Sequence, residues 1–170
     1  LKAIFRAIFH DIKARSYKQG ASTLTQQLAK TLFLSSEKSI GRKIKEAFLA
    51  LQIERRYTKN EILELYLNLI YLGSGAYGVE AASQTYFGKH ISDLTLAESA
   101  LIAGLPKAPS VYSPIKNPDL AKQRRNIVLK QMLAAKIITD MEYNLAKAVE
   151  LSPSYNKSKQ GKAGYFIEYI

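Results

Sequence analysis

Apolar residues in this chain recur at helical spacing and almost nowhere alternate. Ile40, Ile44, Ala47, Phe48 and Leu51 form one such stripe, at the offsets that line a single helix face. Start signals precede the stripes. Thr23/Gln26, Thr58/Glu61, Thr95/Glu98 and Thr139/Glu142 each have capping-box spacing, in which a hydroxyl and the side chain three residues on satisfy each other's backbone N–H groups. Asn117 followed by Pro118 reads as an N-cap with proline in the first turn. Gly88, and Gly104 with Pro106 beyond it, read as helix stops. No convincing alternating strand is present, so the pattern predicts an all-α fold of roughly seven helices.

The two ends differ from the middle. Leu1, Ile4, Phe5, Ile8, Phe9 and Ile12 form one apolar face, with Lys2, Arg6, Lys13 and Arg15 lying off it. Such a segment suits a core-packing helix, or an interfacial helix with its apolar side in acyl chains and its cations near lipid phosphates. From Ser152 to Gly164 the chain turns polar (SPSYNKSKQGKAG) and reads as a linker.

Composition adds a sign and several exclusions. A chain of 170 residues fits one domain with a real core, and 47% apolar content argues against global disorder. The net charge of +11 favours an anionic partner: nucleic acid, an acidic membrane surface or a phosphorylated substrate. Without cysteine there are neither disulfides nor thiolate metal sites. The longest uncharged run, Leu65 to Val79, has 15 residues and includes Asn68 and three glycines, short of the roughly 20 apolar residues a spanning helix needs. The start at Leu1 reads as the beginning of a fragment.

Candidate chemistry gathers in the first half. Arg42, Lys43 and Glu46 fall within a sector of about 100° opposite the apolar stripe. On residues alone this is a solvated charged face, with an Arg42–Glu46 pair worth about 0.3–0.5 kcal/mol. GASTLTQQLAK (20–30) places hydroxyls and free backbone N–H groups at a helix start, a natural anion site, although ordinary capping by Thr23 and Gln26 needs no ligand. Gly73, Gly75 and Gly78 match a dinucleotide fingerprint, but the strand such a fingerprint requires does not precede them. Arg124, Arg125 and Asn126 read as a basic exposed helix face. His10 and His90 stand without partners at metal spacing and read as surface or capping residues.

Taken together, GASTLTQQLAK (20–30), RKIKEAFLALQIE (42–54), ELYLNLIYLGSGAYGVEAASQTYFGK (64–89) and RRNIVL (124–129) resemble the peptidoglycan glycosyltransferase family (family 51), best known as the N-terminal catalytic domain of bifunctional penicillin-binding proteins. The resemblance runs from about residue 1 to about 150. It implies a lysozyme-like helical domain with a membrane-facing jaw, residues 1–20 being jaw-like and Ile4, Phe5, Ile8 and Phe9 facing the membrane. Residues 151–170, with the closing GYFIEYI, resemble the lead into a transpeptidase domain. Gly20-Ala21 stands where members often have two glycines.

The resemblance also distributes roles. Glu46 corresponds to the second catalytic glutamate, and Lys43 to the cation that stabilises charge on the leaving diphosphate, supported by Arg42. Ser22, Gln27 and Lys30 line the donor sugar–phosphate site, and Lys38 adds a further cation. The glycine-rich turn is structural, and Arg124 to Asn126 brace the cleft. A divalent metal, Mg or Mn, is expected near Glu46 and the diphosphate, without a dedicated cage. The implied partners are lipid II, the growing glycan, an anionic membrane surface and moenomycin-type inhibitors, with no nucleic acid. The implied place is the outer face of the bacterial inner membrane.

The implied reaction is an inverting displacement giving a β-1,4 glycan and undecaprenyl diphosphate, which needs a second carboxyl group as base. In the family that base is a glutamate upstream of the jaw. None of the 14 acids here replaces it convincingly, so the chain alone is expected to be inactive or severely impaired. Two other readings compete: a glycan-cleaving enzyme of lysozyme or lytic-transglycosylase type, and a non-enzymatic basic module for nucleic acid or membranes. The cations Lys30, Lys38 and Lys43 argue against cleavage of a neutral linkage, and no nucleic-acid motif is present.

Overall fold

All four predicted capping boxes close. Thr23 and Gln26 exchange backbone–side-chain bonds of 3.1 and 3.2 Å, and Thr58/Glu61, Thr95/Glu98 and Thr139/Glu142 do the same at the starts of three later helices. These contacts belong to a computed structural model, which describes residues 23–33 and 39–151. The described residues contain seven α-helices: α1 (Leu24–Phe33), α2 (Ile40–Arg56), α3 (Lys59–Leu69), α4 (Val79–Phe87), α5 (Leu96–Gly104), α6 (Pro118–Ala134) and α7 (Asp140–Ala148). Two short 3-10 segments, Ile91–Asp93 and Leu105–Lys107, follow α4 and α5. No strand occurs among the described residues, only an isolated bridge between Tyr71 and Tyr77. The all-α expectation holds.

Helix α5 is the centre. Ala97 and every residue from Ser99 to Gly104 are buried, a pattern with no polar face, as a helix enclosed on all sides requires. It packs mainly on α6, and α6 on α7. Gly104 permits the close approach: a Cβ there would lie 2.9 Å from Arg124 Cγ. Arg124 then donates through Nε to the Gly104 carbonyl at 3.0 Å.

Arg124 and Arg125 are therefore not the exposed basic face their sequence suggested; they are 3% and 0% exposed. Arg125 donates to the carbonyls of Lys147 and Val149 and to Asn126 Oδ1. Those carbonyls end α7, where a helix has no internal donors left, so the guanidinium caps it from α6. Burial pushes the Arg125 pKa below its ordinary value. Asn117 does sit at the N-cap of α6, but its side chain makes no cap bond there. It donates instead to the Val111 carbonyl at 3.1 Å, closing the preceding loop.

The glycine-rich turn joins α3 to α4. Gly78 has φ +81° and ψ 160°, a conformation essentially reserved for glycine, and a Cβ there would stand 2.5 Å from the Asn68 carbonyl oxygen. The Tyr86 hydroxyl donates to the Leu72 carbonyl at 2.9 Å and ties α4 to the turn. Gly88 ends α4 in the left-handed conformation, as predicted. His90 caps the 3-10 segment after it, accepting from the Ser92 N–H.

Candidate functional site on the α1–α2 hairpin

Helices α1 and α2 lie antiparallel, because Thr25 in the first turn of α1 reaches Glu54 in the last turns of α2. Ser39 caps α2 by accepting from the Arg42 N–H at 3.1 Å. The face of α2 that meets α1 is not the apolar stripe. Glu46, Ala50 and Ile53 are the buried residues, whereas Ile40, Ile44, Phe48 and Leu51 are exposed. The sector carrying Arg42, Lys43 and Glu46 does lie opposite the stripe, but it is the sector turned inward. Within it Glu46 is buried, Arg42 is half-buried and Lys43 stays exposed at the edge. Position along the helix fixed the geometry of the two faces; which face found a partner depended on α1, which local spacing does not describe.

Glu46 is 2% exposed. Its Oε1 accepts from Lys43 Nζ, and the lysine side chain remains 52% exposed. The ion pair seen is thus Lys43–Glu46, one turn apart. A buried carboxylate holding a half-exposed ammonium fixes the cation at the rim of the hairpin, where an anionic group can reach it. Arg42 Nε is buried with no hydrogen-bond partner among the described residues. A buried donor of this kind is costly to leave unmatched and suits an acceptor-rich ligand.

Across the hairpin, α1 contributes Gln27 and Lys30. Gln27 Oε1 accepts from the Tyr66 hydroxyl of α3 at 3.2 Å, with Tyr66 itself only 2% exposed. Lys30 is exposed in the last turns of α1. Arg42, Lys43, Glu46, Gln27 and Lys30 therefore all belong to one pair of packed helices. Ser22 and Lys38, and the membrane-facing Ile4, Phe5, Ile8 and Phe9, lie outside the described residues. Sequence reasoning missed Tyr66, Thr25 and Glu54 as the groups that orient this hairpin. Their partners are 29 and 39 residues away, and no local pattern announces such pairs.

Among the described residues no three His, Cys, Asp or Glu side chains cluster to hold a metal ion. Glu46 offers a single carboxylate already engaged by Lys43. The donor set does not build a protein cage for the divalent metal expected at the diphosphate.

With this geometry in place, comparison with known proteins decides the family. A family model described as Transglycosylase matches residues 1–133. The chain belongs to the transglycosylase family. This transglycosylase chain is 53% identical over 169 residues to Penicillin-binding protein 1A of Aquifex aeolicus, covering 99% of this chain and 23% of that protein. It is 56% identical over 153 residues to Penicillin-binding protein 1A of Vibrio cholerae, covering 90% and 18%. The crystal structure of Penicillin-binding protein 1A from Haemophilus influenzae superposes with a TM-score of 0.57 at 43% identity, over 78% of this chain and 17% of that one. The transglycosylase chain spans about a fifth of the length of these relatives.

Proposed function

We propose that this transglycosylase chain is a peptidoglycan glycosyltransferase domain that extends a β-1,4 glycan from lipid II in bacterial cell-wall synthesis and releases undecaprenyl diphosphate. The observation that carries the proposal is the inward charged face of α2, on which buried Glu46 holds Lys43 beside the unmatched Nε of Arg42. A cleaving enzyme has no diphosphate to hold, so this arrangement favours transfer.

In this reading Lys43 and Arg42 meet the diphosphate of the donor. As the glycosidic bond to the diphosphate breaks, negative charge grows on the leaving oxygens, and prepositioned cations stabilise it without reorganising. Glu46 keeps the Lys43 ammonium aimed, and Gln27, oriented by Tyr66, and Lys30 bind the sugar–phosphate from the α1 side. Displacement inverts the anomeric carbon and needs a base for the attacking hydroxyl. Five described carboxylates are engaged away from the hairpin's charged face: Glu61, Glu98 and Glu142 in capping boxes, Glu54 with Thr25, and Glu80 with the Ile91 N–H. By the family resemblance, that base is a glutamate upstream of the jaw, which none of the 14 acids of this chain replaces convincingly. No helix among the described residues is long and apolar enough to cross a membrane. The charge of +11 supports work at an anionic membrane surface, on the outer face of the inner membrane where the lipid-linked donor is presented.

The test is equilibrium binding of fluorescent lipid II, or of a moenomycin-type inhibitor, to the chain and to Lys43→Ala. Saturable binding weakened about ten- to hundredfold by the substitution is expected, the loss of one charge-assisted contact of about 1.5–3 kcal/mol. A folded chain that binds neither probe would overturn the proposal.

A further inference from the structure

The glycine-rich turn between α3 and α4 carries an aromatic pair that no step of the transfer uses. The rings of Tyr71 and Tyr77 lie 5.0 Å apart between centroids and are tilted by 46°. They are 39% and 64% exposed. A single open tyrosine is ordinary; two side by side offer a broad apolar surface with polar tips, the kind that takes a ligand. We infer that this pair is a stacking platform for the sugar rings of the growing β-1,4 glycan, a contact additional to the diphosphate site on the α1–α2 hairpin. The inference rests on the reading of the chain as a glycan-polymerising transferase.

Preorganisation is the first argument. Tyr71 and Tyr77 face each other across an isolated antiparallel bridge. The Gly78 N–H donates to the Ile70 carbonyl at 2.8 Å, and the Leu72 N–H to the Ala76 carbonyl at 2.9 Å. With the Tyr86–Leu72 bond, these contacts close the turn without using the Tyr71 or Tyr77 side chain. The rings are therefore presented by a fixed frame, and a ligand that meets them loses little further entropy to ordering.

Local charge is the second. The chain holds 25 Lys and Arg, yet none falls between residues 60 and 88, where the charged residues are Glu61, Glu64 and Glu80. A phosphate, a nucleic-acid backbone or an anionic leaflet finds no complementary charge in this segment. A neutral sugar needs none. One face of a pyranose ring is a patch of C–H groups, which suits the negative face of an aromatic ring. The exposed Asn68, whose backbone abuts Gly78, adds an amide for sugar hydroxyls. Place is the third argument. Tyr71 follows Tyr66 by five residues, the first three of them helical, so their Cα atoms lie within about 12 Å. Tyr66 is the residue whose hydroxyl meets Gln27 of the hairpin. A strand of a few linked sugars spans that separation.

The probe is a soluble β-1,4-linked N-acetylglucosamine tetrasaccharide, which carries the glycan linkage without lipid, peptide or diphosphate. Its equilibrium binding to the full chain would be compared with binding to Tyr71→Ala, Tyr77→Ala, Tyr77→Phe and Lys43→Ala. Tyr57→Ala, at an exposed tyrosine that ends α2, is the control. A loss of about fivefold or more is expected in each alanine variant of the pair, with Tyr77→Phe, Lys43→Ala and Tyr57→Ala close to the wild type. A second readout covers an alanine variant that fails to fold. In a chain labelled with fluorotyrosine, the tetrasaccharide should shift the fluorine resonances of Tyr71 and Tyr77, assigned with Tyr71→Phe and Tyr77→Phe. Tetrasaccharide binding that ignores both alanine variants overturns the platform and leaves the transferase reading standing. So does a chain that binds lipid II through Lys43 but not the tetrasaccharide. A folded chain that binds neither probe overturns both. Binding to anionic vesicles that depends on Tyr77, without tetrasaccharide binding, would give the pair to the membrane and also overturn the inference.

Discussion

The Thr25 hydroxyl donates to Glu54 Oε1 at 2.7 Å across 29 residues, pinning the first turn of α1 to the last turns of α2. Gln27 and Lys30 follow on α1, and Arg42, Lys43 and Glu46 stand on α2. This bond ties one end of the two helices that carry the candidate site. Thr25→Val keeps the volume and removes the donor. Its expected stability cost is about 0.5–1.5 kcal/mol, read by urea denaturation, together with weaker lipid II binding. A variant that loses stability without losing binding would show the hairpin register to be irrelevant to the site.

Glu46→Gln separates aiming from charge. The amide fills the same buried space but can no longer form an ion pair with Lys43. If Glu46 only aims Lys43, as proposed, lipid II affinity should stay within about threefold of the wild type, a change of less than about 1 kcal/mol. Lys43→Ala, by contrast, removes the proposed contact itself. Equal losses in the two variants would give Glu46 a direct place in binding.

Gly78 and Gly75 make a matched comparison. Both have positive φ, +81° and +77°, but a Cβ at Gly78 meets the Asn68 carbonyl whereas one at Gly75 meets nothing within 4 Å. Gly75→Ala should cost about 1–2 kcal/mol from backbone strain alone. Gly78→Ala should cost more than that, because strain and collision add. Thermal melts of the two variants decide the order.

Arg125→Met should destabilise by about 2–4 kcal/mol, because the carbonyls of Lys147 and Val149 lose their buried donor. The loss should be local first. Hydrogen exchange would show α7 unprotected while α5 stays protected.

Acid should weaken the fold through its caps. Glu61 and Glu142 have pKa values held below 4.5 by bonds from Thr58 and Thr139. Burial pushes the Glu98 carboxyl up, but bonds from Lys89 and Thr95 outweigh it and leave a net lowering. A depressed folded-state pKa gives stability that is complete above the unfolded value and is lost as pH falls through the folded one. Unfolding free energy should therefore decline below about pH 4.5, and Glu98→Gln should flatten that decline. A pH-independent Glu98→Gln difference would remove the Lys89–Glu98 pair from the account.

What could be read from sequence was what is settled locally. A capping box needs only its own four residues, so Thr58/Glu61 and Thr95/Glu98 were legible, as was the left-handed Gly88. The orientation of α2 was not. Its spacing defines two faces, and the choice between them belongs to α1. Arg124 and Arg125 were misplaced for a related reason: their burial is permitted by carbonyls at Gly104, Lys147 and Val149, which the sequence around residue 124 does not contain. At the site, the motifs drew attention to Arg42, Lys43 and Glu46, while Tyr66 and Thr25, which orient the hairpin, carried no local signal.

Helix α5, with no residue from Ser99 to Gly104 open to solvent, also separates two kinds of motion. Helices α5, α6 and α7 pack on one another, whereas α2 is joined to the remainder mainly through α1 and touches α3 only slightly. Local opening follows the element with the fewest anchors. The α1–α2 hairpin should thus exchange its amide protons sooner than the α5–α7 layer, opening locally without the protein approaching global unfolding.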